Sequence, residues 1–247
     1  MRAHREDREV SLSLATLLAT TRRADASAPV EIGRFVAAVA PRLAAATAVP
    51  AGAENPVPDP AALLWCVRAE RDVRAHGRAR ELVVRELPAG LCAFVAEALP
   101  GEVMQGVSGP AAARAGVSEP TLRACADENT AARFQGWVDT LARAPSTSPW
   151  RFGGDVLFTS SLLLAPAFLR AVADRGGGSA RLAAPARALV LAGPGADPDG
   201  ARFAREARRV YRTTPNPISP AVLRTDGLTL TAEPAAAPGT RRRWWPW

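Results

Sequence analysis

Apolar residues recur at helical spacing over residues 30–48, where Ile32, Phe35, Val36, Val39 and Leu43 fall on one face, and this spacing predicts a helix. Residues 50–60 interrupt it, because Pro56, Pro58 and Pro60 disfavour regular structure and mark a linker. Asp59 then stands as a cap before Pro60, at the first-turn position that proline favours, so a second helix is expected with Leu63, Leu64 and Val67 on one face. Beyond it the apolar runs shorten. Residues 81–87, 91–98 and 102–107 are separated by Pro88-Ala89-Gly90 and Pro100-Gly101, and these turn formers predict an antiparallel meander. Ser118 caps a further helix from Glu119.

After the breaker running from Pro145 to Pro149 the pattern alternates: a strand over 156–163, a helix over 167–174, strands around Leu182 and over 188–191, and a helix over 200–213. A hairpin is expected over 221–231, where Asp226-Gly227 suits a type I′ turn with positive φ at both positions. The chain therefore reads as α+β, with an antiparallel-rich N-terminal half (30–145) packed on an alternating β/α C-terminal half (150–232) that closes on the hairpin. Residues 1–29 and the Arg/Trp tail 233–247 lack such periodicity and are expected to be mobile.

With 247 residues and 48% hydrophobic content the chain can bury a sizeable core. Its 31 basic residues against 24 acidic ones give a formal charge of +7, which favours anionic partners. Every basic residue is arginine, and isoleucine occurs only at Ile32 and Ile218. That bias reflects a GC-rich coding sequence and lowers the weight of each arginine, so nucleic acid is an alternative and not the favoured partner. Cys66, Cys92 and Cys125 are odd in number and form no C-x-x-C pair; reduced thiols and a cytoplasmic location follow. Acidic Glu6, Asp7 and Glu9 precede the apolar run at 11–20, which argues against a signal peptide.

Catalytic patterns are missing. His4 lies in the opening segment and His76 in a charged turn, Ser160 and Ser161 lack a G-x-S-x-G elbow, and Gly176 to Gly178 lack the lysine of a phosphate loop. Asp197, Asp199, Gly200 and Glu206 fall on calcium-loop positions, but the first ligand position is Gly195, so Asp199 is expected to cap the following helix. No cofactor, metal or catalytic set is predicted. That helix carries Phe203, Ala207, Val210 and Tyr211 on one side and Arg202, Arg205, Arg209 and Arg212 on the other, with Glu206 placed to pair with Arg202 or Arg209. Asn129 shares a helix face with Leu122, Cys125 and Ala126 and must find partners there. Arg187, after Pro185, suits a carboxylate or phosphate, and with Asn129 and Ser219 makes a candidate ligand site. The tail residues Arg241, Arg242, Arg243, Trp244, Trp245 and Trp247 combine charge with indoles suited to an anionic membrane surface or a protein partner.

Several of these pieces carry a resemblance. Gly116, Ser118, Ala126 and Asn129, the run 160–164, Pro185 with Arg187, and the Pro-Ile-Ser-Pro element from Pro217 to Pro220 are together similar to the YtpQ-like family of uncharacterised bacterial proteins, over roughly residues 80–230. In that family an acidic residue follows the arginine; here Ala188 takes its place, so half of an Arg–Asp pair is kept. The resemblance implies an architecture and no activity. The expected function is a non-enzymatic, cytoplasmic binding or adaptor protein, recruited to anionic surfaces by its tail. The alternatives are a nucleic-acid-binding protein using the basic helix face and an enzyme of unrecognised class.

Overall fold

In the computed structural model the described residues are 2–5 and 8–11 (backbone only), 57–75, 79–99, 103–143, 149–196, 200–214 and 216–234. Strands β1 (Arg2–Arg5) and β2 (Arg8–Ser11) pair antiparallel within the segment expected to be mobile. The predicted helix over 30–48, most of the linker and residues 235–247 of the Arg/Trp tail lie outside the described residues, while Glu233, expected to be mobile with that tail, is held by Arg181 Nε at 2.9 Å.

The fold is α+β, with two antiparallel sheets sharing one core. The first sheet contains β3 (Leu63–Ala69), β4 (Val84–Leu87), β5 (Leu91–Leu99) and β6 (Val103–Gly106). The helix expected from Pro60 is corrected: Asp59 does cap Ala61, at 3.0 Å, but only a 3-10 turn over Pro60–Ala62 before the chain extends into β3. All seven β3 residues are buried, and a short apolar run covered on both faces does not show whether it is helix or strand by its spacing. The simple meander is corrected as well. β5 has nine residues against four in each of β4 and β6, so both fit end to end along one edge of it while β3 takes the other. Val95 donates to Val83 O and its carbonyl accepts from Val107, at 2.9 Å each, where the two short strands meet.

A five-residue helix α1 (Glu70–Arg74) follows β3, a six-residue helix α2 (Gly109–Arg114) follows β6, and the long α3 (Glu119–Arg143) is capped by Ser118, which accepts from Thr121 N. The second sheet contains β7 (Trp150–Gly153), β8 (Ala180–Ala186), β9 (Leu189–Pro194), β10 (Leu223–Thr225) and β11 (Leu230–Ala232), ordered β11-β10-β8-β9-β7. Helix α4 (Pro166–Arg175) buries Phe168 and Val172 in the shared core, and α5 (Gly200–Thr213) packs on Ala183 and Leu191 from the opposite face of the sheet.

Two further expectations are corrected in this half. Residues 156–163 are a turn and a 3-10 helix over Thr159–Leu164, not a strand. Asp155 Oδ1 accepts from Leu157 N and Phe158 N at 3.0 and 2.9 Å, a local side-chain bond that competes with extended pairing. The strand lies earlier, at β7. The hairpin forms, but its turn is not type I′: Gly227 has φ 93° while Asp226 is not at positive φ, and Asp226 Oδ1 gathers Leu228 N, Thr229 N and Thr229 Oγ1 instead. Consecutive positive φ values, as a type I′ turn requires, occur between β4 and β5 at Ala89 (62°) and Gly90 (69°).

Candidate anion-binding site

Helix α5 has five arginines and one carboxylate, Glu206. Phe203, Ala207 and Val210 are buried, which leaves Arg202, Arg205, Arg209 and Arg212 on exposed positions, as the helical spacing predicts. Strand β7 supplies the opposite wall. Its alternation buries Trp150 and Phe152 and turns Arg151 outward, and the pairing of Arg151 with Leu191 puts it on the sheet face that α5 covers.

Between them lies a cleft of about 600 Å³ lined by Pro149, Arg151, Arg202, Arg205, Glu206 and Arg209. Glu206 is the one carboxylate in that lining. Arg209 Nε donates to Oε2 and Arg209 Nη2 to Oε1, both at 2.8 Å, and Arg151 Nη2 donates to the same Oε1. These bonds, the Arg209 pair first, hold the Glu206 carboxyl below its usual range against the opposing effect of burial. Four arginines therefore line the cleft with one carboxylate, and two of them, Arg151 and Arg209, grip it. Arg209 fulfils the expected helical pairing; Arg151 was missed because β7 was missed, although the apolar-charged-apolar order Trp150-Arg151-Phe152 after Pro149 was a readable signal.

The other residues singled out by sequence go elsewhere. Strand β3 is an edge strand whose outer backbone groups meet side chains instead of another strand. Asn129 Nδ2 donates to Leu63 O at 2.9 Å and to Pro60 O at 2.7 Å, while Thr130 Oγ1 accepts from Trp65 N at 3.0 Å. Ser161 Oγ accepts from Val67 N at 3.3 Å, and Ser160 Oγ donates to Val67 O at 3.1 Å. Four polar side chains thus complete a buried sheet edge, which accounts for the burial of Thr130, Ser160 and Ser161.

Arg187 and Ser219 are brought near one another. A register shift between Ala183 and Ala186, at the strand proline Pro185, turns two carbonyls outward: Pro185 O accepts from Ile218 N and Ala184 O from Ser219 N. Arg187 N donates to Asn216 O and Arg187 O accepts from Ser160 N. Asn129 sits at the Leu63 end of β3 and does not line the α5–β7 cleft. Gly176 to Gly178 close α4 with Gly177 and Gly178 at φ 77° and 96°, the helix-ending use of glycine. His76, Asp197, Asp199 and the tail arginines and tryptophans fall outside the described residues.

Nearby thiols are poor nucleophiles. Burial raises the Cys66 pKa, and it pushes that of Cys92, at the wall of a second cavity of about 350 Å³, up to about 11. Arg68 is 4% exposed, donates to Val67 O and Leu157 O, and leaves Nε without a partner; burial lowers its pKa. It ties the 155–158 turn to β3. Among the described residues there is no cluster of three His, Cys, Asp or Glu able to hold a metal, and no helix long and apolar enough to cross a membrane.

Comparison with known proteins finds no matching family model, curated protein or solved structure. None of these comparisons bears on the resemblance to the YtpQ-like family expected from the sequence.

Proposed function

We propose that this chain is a non-enzymatic binding or adaptor protein that holds an anionic side group of a partner protein in the α5–β7 cleft. The observation that carries this reading is the convergence of Arg151, Arg202, Arg205 and Arg209 on one concavity from two separate elements. A solvated helix face needs no second wall, and a concavity receives a protruding group better than a flat membrane does. Free Cys66, Cys92 and Cys125 accord with a cytoplasmic setting. The Arg241 to Trp247 tail adds a second cationic segment able to strengthen recruitment.

Fluorescence anisotropy with a phosphoserine peptide and its serine counterpart tests the reading. The phosphopeptide should bind more tightly, and an Arg151→Ala/Arg209→Ala variant should lose about tenfold or more in affinity. Equal binding of both peptides, or binding untouched by the double substitution, rejects it. A nucleic-acid partner is the second reading, favoured by the row from Arg202 to Arg212, which spans about 15 Å at 1.5 Å per residue. Oligonucleotide affinity falling steeply with salt would support that reading.

A further inference from the structure

The cleft already contains an anion of its own. Glu206 is gripped by Arg209 through Nε and Nη2 and by Arg151 through Nη2, the multidentate arrangement with which arginines recognise a ligand's oxyanion. A group that engages Arg151 and Arg209 must displace that carboxylate or share them with it. The tethered carboxylate has the advantage of a high local concentration. A ligand carboxylate or a phosphodiester brings one negative charge, no more than Glu206 itself offers. A phosphate monoester carries about −1.5 to −2 at pH 7 and presents three terminal oxygens, enough to engage both guanidiniums and exceed the charge it replaces.

Displacement is sterically open. The Glu206 side chain is 19% exposed, and those of Arg151 and Arg209 are 50% and 59% exposed, so all three reach solvent. After displacement Glu206 stays covalently beside the site and its charge still opposes an anion there, but the two arginines outweigh it, so the net attraction grows with the charge the ligand brings. Resting on the anion-cleft reading above, we propose that Glu206 is a resident placeholder on Arg151 and Arg209, and that the ligand class that displaces it is the phosphate monoester, whose second charge draws more attraction from the two arginines than a monoanion does.

Titration calorimetry of the full chain at pH 7.5 with methyl phosphate, dimethyl phosphate and acetate tests it, since the two phosphates differ by one methyl group and one charge. In the native protein methyl phosphate should bind at least about tenfold more tightly than the two monoanions. Glu206→Gln keeps the side chain's shape and removes its charge; it should bind all three more tightly, methyl phosphate gaining at least as much as the monoanions because the repulsion removed scales with the ligand's charge. Thermal unfolding of Glu206→Gln confirms that the variant is folded. If the native protein binds the three equally, or Glu206→Gln binds none of them more tightly, the placeholder role is overturned while the anion cleft stands. If neither form binds any of them, the cleft reading falls together with it.

Discussion

Helices α3 and α5 both carry arginines on polar faces, yet they use charge in opposite ways. Over its 25 residues α3 has three arginines and four carboxylates, whereas the 14 residues of α5 hold five arginines and one carboxylate. The charges of α3 reach across the fold. Asp127 accepts from Trp65 Nε1 at 2.8 Å and forms a fork with Arg85, whose guanidinium lies 4.3 Å from the Trp65 ring centre. Arg123 donates to Val84 O, and Arg133 clasps Asp155 in the turn leading to the second sheet. On α5 the single carboxylate meets only arginines that also line the cleft. A nearly balanced helix whose charges tie it to the first sheet and to the Asp155 turn is part of the framework; one with excess charge beside a concavity is what the proposed anion-binding role requires.

The contrast is most easily broken at Thr130. Thr130→Val leaves the buried Trp65 N–H without an acceptor, and urea denaturation should show a loss of about 1–3 kcal/mol. On α5 a surface change should do far less: Arg208→Ala, at an exposed position outside the cleft lining, is expected to shift stability by no more than about 0.5 kcal/mol. A larger loss would mean that α5 is also framework.

The smallest effect concerns pH. Because the folded-state pKa of Glu206 lies below its ordinary value of 4.5, its ion pairs stabilise the protein above that value, and this contribution fades as pH falls through the folded pKa. The stability difference between the native protein and Glu206→Gln should therefore be constant near neutrality and shrink in acid. A difference that persists unchanged below the folded pKa would show that the Arg151 and Arg209 bonds do not depend on the carboxylate's charge.

Thr130, Asn129, Ser160 and Ser161 also show how much of the site was legible beforehand. Asn129 was recognisable as a residue in need of partners because its helix face was apolar, but the partners are the carbonyls of Pro60, in the 3-10 turn, and of Leu63, the first residue of β3, whose strand character was itself misread. Glu206 and Arg209 were placed correctly because three residues along a helix are neighbours by geometry alone. Arg151, 55 residues away from Glu206, was invisible to any local argument.

What the sequence determined by itself is what local periodicity controls: the α+β class, the capped start of α3, the limits of α5 and its division into an apolar stripe and an arginine face. Only the tertiary structure decided that residues 63–69 extend, that β4 and β6 share one edge of β5, that polar side chains finish the buried edge of β3, and that Arg151 closes a cleft against α5. Each of those outcomes depends on which surfaces meet. The spacing of apolar residues specifies a helix stripe through 3.6 residues per turn, but a run buried on every side has no polar phase left to report its conformation.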